Sequence, residues 1–435
     1  MSTKRKFVIG IIIFLFFLGS GLPEYINGIC VKPEWSLSPY PFGHDFAFTI
    51  VHDADHSNSQ RLQPLFNCFN KFGMKISVTT FAFWPSSGKV IKEDGASKDP
   101  YWSPTPLPFS EPKEAEFYKK LESEGHEIDL HTASDESDRR EETIAAFEFF
   151  EKTFGHSPKL YVEHRNQDNL ECQQEQGSTP DSPFFVTDIL NKYGSWVWVI
   201  SPSALPYEGR GDYYDVLSHG TMFASSLVNR TYGMIKGFVK SGSLSMKNGD
   251  DYLSLVSGRG PFDEYSKKKF GVVNAFRRSG KRDKSDGDGF LEWYSINNID
   301  TLSKNRGTAI VYTHFDKNWL DKNTKDMRED IKERLRYIAG KNVWLAPAGE
   351  ILARFKAMSN VFVVYDAKWV KVINNNPFEV RSISLLDKNG KGVTAQEVAL
   401  TQFSKNVIVI DKIGANQTVI LKVLGQVGNN GNGVK

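Results

Sequence analysis

The feature that most constrains this fold is a set of short apolar runs that end on His, Asp or Arg. Four of them are FAFTIVHDAD, EIDLHTASD, KLYVEHR and AIVYTHF. Each has the length of a buried strand, and its last positions carry side chains that bind metals or exchange protons. In (β/α) barrels the catalytic groups come from the carboxyl ends of separate strands, because those ends open onto one shared mouth. The runs therefore predict a single site assembled from distant parts of the chain.

Helical and strand patterns alternate from about residue 45 to 357, which predicts a parallel sheet with helices on its faces. We expect strands near 46–51, 76–81, 127–130, 159–163, 196–200, 308–313 and 343–346. Residues 202–306 are rich in Gly, Ser, Lys and Asp and interrupt this alternation. We expect long loops over the barrel mouth there, with room for one more strand.

After Met358 the pattern changes to short alternating runs such as NVFVVYDA, WVKVINN and NVIVIDKIG. Turn signals separate them, and Asn389-Gly390 stands where a hairpin turn is expected. The sequence therefore predicts a barrel domain over 31–357 and a small all-β, sandwich-like domain over 358–428. The last residues, 429–435, are predicted to be disordered.

The N-terminus has the pattern of an export signal. Three basic residues, Lys4 to Lys6, precede an apolar run from Phe7 to Leu18. That run is shorter than the roughly 20 residues of a membrane-spanning helix, so cleavage of residues 1–22 is favoured over anchoring. We expect no stable membrane span after cleavage and a secreted, periplasmic or cell-surface protein. The net charge of +2 is too small to indicate a nucleic-acid partner.

Two motifs bring together the side chains of a metal site. Asp53 and Asp55 are alternate residues at a strand end, so they share a face and can reach one ion. His131 and Asp135 are four apart and would project to one side if a helical turn begins there. Carboxylates and imidazoles around an exchangeable water hold catalytic divalent metals. His44, His52 and His56 are expected to be exposed or to lie at the rim.

With these motifs the sequence resembles the NodB-type polysaccharide deacetylases, carbohydrate esterase family 4 and its relatives, over about residues 42–357. IVHDAD is similar to the family's TFDDG motif and GHEIDLHTASD to its H-(S/T)-x-x-H motif. FGHSPKLYVEHRN is similar to its Arg-Pro motif and GTAIVYTHF to its L-x-H motif. The resemblance implies a distorted (β/α)7 barrel, in agreement with the seven strands expected above.

The resemblance also implies a role for each matching position. Asp53 would be the general base that activates water, and Asp55 and His131 would be metal ligands. Arg165 would orient the base, and His314 would protonate the leaving amine or alcohol.

The third metal ligand is where the sequence departs from the family pattern. Asp135 stands where the family has its second histidine, and no proline follows Arg165. Either Asp135 replaces that histidine, or His164 at the end of the next strand completes the site. His164 is slightly favoured because a neutral imidazole restores an Asp-His-His set.

These expectations lead to a secreted hydrolase that removes acetyl groups from an acetylated polysaccharide or oligosaccharide by metal-activated water, with zinc as the expected ion. One alternative is a non-catalytic carbohydrate-binding or surface protein on a degenerate barrel. Another is a glycoside hydrolase on a related barrel, which requires two carboxylates about 5–10 Å apart that flank a sugar. Metal analysis of the purified protein separates the first interpretation from the other two.

Overall fold

The computed structural model describes most of the chain between Glu34 and Leu424. The described residues are 34–53, 57–86, 107–135, 138–162, 181–198, 262–266, 272–276, 286–304, 306–358 and 360–424, with the backbone alone for 198, 262–266 and 272–276. The predicted signal segment 1–22 and the predicted tail 429–435 lie outside them. Within the described residues no helix combines the length and apolarity needed to cross a membrane.

Strands and helices alternate up to Met358, and strands alone follow. In chain order the strands are β1 (Trp35–Ser38), β2 (Phe46–His52), β3 (Ser77–Thr80), β4 (Glu127–Leu130), β5 (Leu160–Tyr161), β6 (Trp196–Trp198), β7 (Phe262–Ser266), β8 (Val272–Phe276), β9 (Thr308–Thr313), β10 (Val343–Leu345), β11 (Val361–Tyr365), β12 (Trp369–Asn374), β13 (Val380–Asp387), β14 (Val393–Thr394), β15 (Leu400–Ser404), β16 (Val407–Ile413) and β17 (Thr418–Val423). The helices are α1 (Ser59–Lys71), α2 (Pro112–Ser123), α3 (Arg140–Phe154), α4 (Thr187–Tyr193), α5 (Gly287–Trp293), α6 (Ile296–Lys304), α7 (Glu329–Ala339) and α8 (Ala348–Met358).

The larger sheet is the parallel sheet that the alternation predicts. Its strands follow the order β9, β2, β3, β4, β5, β6, β8, β7, and β10 also pairs with β2. Every pair is parallel except β7 with β8. All the strands predicted for this part of the chain are present, which confirms an α/β architecture with a parallel sheet. Among the described strands the two ends of the row, β9 and β7, do not pair with each other.

Alternating side chains give this sheet two buried faces. Phe46, Phe48 and Ile50 of β2 pack into a large apolar cluster with residues of helices α1 to α7. On the opposite face Val51 packs into a smaller apolar cluster with residues of β5, β6, β9 and α8. We call this second side the inner face. Helix α8 covers part of it, whereas α1 to α7 pack on the other side. Burial on both faces explains why the strands read as continuous apolar runs.

Region 202–306 contains more regular structure than its composition predicted. Its described residues form the antiparallel pair β7 and β8, and β8 joins the parallel sheet beside β6. Helices α5 and α6 follow, and the side chain of Asp286 caps α5 by accepting a hydrogen bond from the backbone N–H of Gly289. The expectation of loops with one additional strand was therefore wrong for residues 262–266, 272–276 and 286–304.

The strands after α8 form two four-stranded antiparallel sheets, in the orders β1-β13-β16-β15 and β11-β12-β17-β14. Side chains from both sheets form one apolar cluster, which confirms an all-β C-terminal part. Strand β1 belongs to this part although it lies within the range 31–357, because Trp35 and Leu37 bury their side chains in that cluster. Asn389-Gly390 is not a hairpin turn, because β13 and β14 lie in different sheets.

Candidate active site at the carboxyl edge of the sheet

Three of the predicted site residues directly follow strands of the parallel sheet. Asp53 follows β2, His131 follows β4 and His314 follows β9. The backbone continues the sheet ladders into the site, since the N–H of Asp53 donates to the carbonyl of Thr313 and the N–H of His131 donates to the carbonyl of Thr80. Because parallel strands end at one edge, the three side chains meet there.

The carboxylate of Asp53 stands between the two imidazoles. Its Oδ1 lies 3.3 Å from Nε2 of His131, and its Oδ2 lies 3.1 Å from Nε2 of His314. Asp53 and His131 are buried, whereas the side chain of His314 keeps 13% of its surface exposed. A carboxylate at hydrogen-bond distance from imidazoles can accept or pass on a proton. Of the two imidazoles, that of His314 is the more accessible to an incoming molecule.

Tyr312 is a further member of this group that the sequence analysis did not single out. Its hydroxyl donates a hydrogen bond of 2.5 Å to Oδ2 of Asp53. Its ring lies in the apolar cluster of the inner face. The available signal was the spacing, because Tyr312 and His314 are alternate residues and therefore project from the same face of β9.

His52 was expected to be exposed or to lie at the rim, and this expectation was wrong. It is completely buried, and its ring stacks on Phe315 with 4.3 Å between the ring centroids. Its Nδ1 accepts a hydrogen bond from the backbone N–H of Phe315. Burial lowers the pKa of His52 to about 3, so the ring is neutral at physiological pH. Strand alternation explains the error, since a residue next to Asp53 must point to the opposite face.

The loop after β4 is held by Asp138, which was also not anticipated. Its carboxylate accepts hydrogen bonds from the backbone N–H groups of Ala133 and Ser134 and from the Ser134 hydroxyl. Burial raises the pKa of Asp138 to about 7. Thr132 has a φ of 55°, so no helical turn begins at this loop and the premise that linked His131 with Asp135 was wrong. Asp135 itself is buried in the loop.

Two buried acids, Asp129 and Glu127, lie on the same face of β4 as His131. They precede it by two and four residues and are therefore further from the site. Oε1 of Glu127 accepts hydrogen bonds from the Ser77 hydroxyl and from the backbone N–H of Gly349 at the start of α8. Asp129 accepts the backbone N–H groups of residues 159 and 160. Burial, and then the neighbouring Glu127, raise the pKa of Asp129. Glu127 therefore joins the sheet to α8 beneath the site, and Asp129 joins β4 to the start of β5.

The remaining predicted site residues lie outside the described residues. They are Asp55, His164 and Arg165. Within the described residues, no group of three or more His, Cys, Asp or Glu side chains is arranged to hold a metal ion. Two of the four predicted ligands are thus undescribed, and the roles assigned to the site residues stay predictions.

Comparison with known proteins gives matches of low similarity among solved structures. No family model and no curated protein matches the sequence. A probable polysaccharide deacetylase from Pseudomonas aeruginosa PAO1 matches 77% of this chain and 97% of its own, with 9% identity and a TM-score of 0.38. Puue allantoinase has the same coverages and TM-score, with 10% identity. A family 4 acetyl xylan esterase from Clostridium thermocellum, in complex with a cobalt ion, matches 38% of this chain and 63% of its own, with 14% identity and a TM-score of 0.19. Because these TM-scores are below 0.5, nothing about function is concluded from them.

Proposed function

We propose that this chain is a hydrolase that removes acetyl groups from an acetylated polysaccharide or oligosaccharide. The observation that carries the proposal is the Asp53 carboxylate, held between imidazoles that come from two other strand ends. Hydrolysis of an acetyl amide or ester requires a base that takes a proton from water and an acid that returns one to the leaving group. The motif resemblance to NodB-type deacetylases, with their distorted (β/α)7 barrel, supports the same reaction.

In this reaction Asp53 takes a proton from the water that attacks the acetyl carbonyl. His314 gives a proton to the amine or alcohol as its bond to the carbonyl carbon breaks, and acetate is released. The 3.1 Å contact between Oδ2 of Asp53 and Nε2 of His314 is within the reach of direct proton transfer, so the base and the acid are coupled. We propose that Arg165 orients Asp53 from its own strand end.

A divalent metal ion, for which we propose zinc, fits the donor chemistry of this site. His131 presents an imidazole nitrogen beside a carboxylate, and zinc is bound by such N and O donors. Asp55, His131 and either His164 or Asp135 would hold it. When bound, the ion would lower the pKa of water and stabilise negative charge on the carbonyl oxygen.

We also propose that the protein works outside the cytoplasm. The basic and apolar pattern of residues 1–22 supports export, to a secreted, periplasmic or cell-surface location. An acetylated glycan is the partner that such a location and such a reaction require.

The test is acetate release from an N-acetylated substrate, chitooligosaccharide, and an O-acetylated one, acetylated xylan. We expect release by zinc-loaded protein and its loss with a chelator. Asp53→Asn should reduce the rate roughly 10²- to 10⁴-fold, the usual contribution of general acid–base catalysis. Asp45→Asn is the matched control, since Asp45 precedes the other end of β2 and pairs with Arg306 away from the site.

Three results would contradict the proposal. Glycan binding without acetate release would favour the non-catalytic carbohydrate-binding protein. New reducing ends without acetate would favour the glycoside hydrolase. Equal rates for Asp53→Asn and wild-type protein would show that acetate release does not depend on this carboxylate.

A further inference from the structure

We propose that Tyr312 is a positioning residue of Asp53, which acts beside Arg165 and sets the rotation of the catalytic carboxylate. The hydroxyl of Tyr312 donates to Oδ2 of Asp53 over 2.5 Å, shorter than the contacts from Asp53 to the two imidazoles. For its kinetic test this inference rests on the proposed function.

Strand pairing and side-chain packing hold Tyr312 in a fixed position relative to Asp53. Strand β9 pairs with β2 in register along its whole length, and Tyr312 lies opposite Val51. The ring is 4% exposed and packs in the inner-face cluster, which includes Ile310 and Leu352 of α8. Packing on the sheet and on α8 therefore fixes the hydroxyl relative to the end of β2.

The carboxylate of Asp53 needs a hydrogen-bond donor to fix its orientation, because the χ2 torsion of aspartate has no staggered minima. The χ2 angle of an aspartate is broad and roughly two-fold, so packing alone sets the carboxylate plane weakly. A hydroxyl that donates to a buried ionised oxygen forms a short, strong hydrogen bond. With Oδ2 held by Tyr312 beside His314, Oδ1 is directed to His131. The hydroxyl thus determines which carboxylate oxygen faces which imidazole.

Tyr312→Phe tests this role, because it removes the hydroxyl and keeps the ring in its cluster. We expect kcat for acetate release to fall about 10- to 100-fold, the range seen when a hydrogen-bond partner that orients a metal ligand is removed. KM should stay within about two-fold, since the hydroxyl acts on the carboxylate and not on ground-state binding.

Tyr40→Phe is the matched control. It also removes a buried hydroxyl, one that donates to the carbonyl of Gly307 at the amino end of the same strand. It should lower the melting temperature at least as much as Tyr312→Phe does, because the Tyr40 hydroxyl also contacts the carbonyl of Arg306 and Oγ1 of Thr308, and it should leave kcat unchanged. A kcat of Tyr312→Phe within two-fold of wild type, with a loss of melting temperature like that of Tyr40→Phe, would make the hydroxyl structural and overturn the proposal.

A second readout does not depend on the reaction. Long-range ¹H–¹⁵N spectra report the imidazole nitrogens, and Tyr312→Phe should shift those of His131 and His314 while the resonances of His126, which contacts Asn70 instead, stay in place. Tyr40→Phe should shift neither site histidine. If the wild-type protein releases no acetate but these shifts occur, the proposed function fails and the positioning role stands. Unchanged spectra of His131 and His314 would overturn the positioning role.

Discussion

The contact between α8 and Glu127 makes Gly349→Ala an informative substitution. A Cβ atom at Gly349 would lie 2.6 Å and 2.8 Å from the two carboxylate oxygens of Glu127 and 2.8 Å from Cβ of Lys159. The φ of Gly349 is outside the left-handed region, so the obstacle is space and not backbone strain. Glu127 cannot simply move, because Ser77 and the N–H of Gly349 itself hold its Oε1.

The cost follows from these contacts. Overpacking of a buried site costs about 1–3 kcal/mol, and weakening a hydrogen bond to a charged acceptor costs about 1.5–3 kcal/mol. Replacing glycine in a helix by alanine offsets about 1 kcal/mol. We therefore expect Gly349→Ala to lower the free energy of unfolding by about 1.5–5 kcal/mol. Acetate release should fall as well, because a displaced α8 moves Leu352, which packs in the same cluster as Tyr312.

The assay is urea unfolding followed by tryptophan fluorescence, with Gly340→Ala as the matched control. At the end of α7 an added Cβ would approach the carbonyl oxygen of Arg336 no closer than 3.4 Å, an ordinary contact. Gly340→Ala should be neutral or stabilising by up to about 1 kcal/mol, since alanine restricts the unfolded chain. Equal unfolding midpoints for the two variants would refute the argument that α8 is seated on Glu127.

Buried ionisable groups and strand β1 give three further predictions. Burial lowers the pKa of His126 from 6.5 to about 3, so its stabilising contribution is complete above pH 6.5 and falls by about 1.4 kcal/mol per pH unit toward pH 3. His126→Gln should remove that part of the pH dependence of urea unfolding. Burial raises the pKa of Asp138 from 3.8 to about 7, so its contribution is complete below about pH 4 and is lost as the pH rises to 7. Asp138→Asn should flatten this opposite slope, and an unchanged slope would contradict the assignment. Trp35→Ala removes a side chain that is 1% exposed and should lower the free energy of unfolding by about 3–5 kcal/mol in the same assay. A decrease below about 1 kcal/mol would show that β1 contributes little to the all-β core.

Much of the fold is predictable from the sequence because its cause is local. The short strand patterns of β4 and β9 and the helical patterns that flank them give these strands the bounds that the sequence predicts. The carboxyl ends of parallel strands share one edge, which is why Asp53, His131 and His314 lie next to one another. The chemical type of a strand-end side chain and the direction of its strand were sufficient for this part of the site.

The position of α8 and the contacts of Asp53 within the site depended on residues far apart in the chain. The side of the sheet that α8 covers follows from Glu127 and Gly349, which are 222 positions apart. The hydrogen bond from Tyr312 to Asp53 spans 259 positions and exists only because β9 pairs with β2 in one register. A shift of that register by one residue would turn the tyrosine to the opposite face. The sequence by itself therefore determined which residues arrive at the site edge, and the tertiary pairing of strands decided which of their atoms touch.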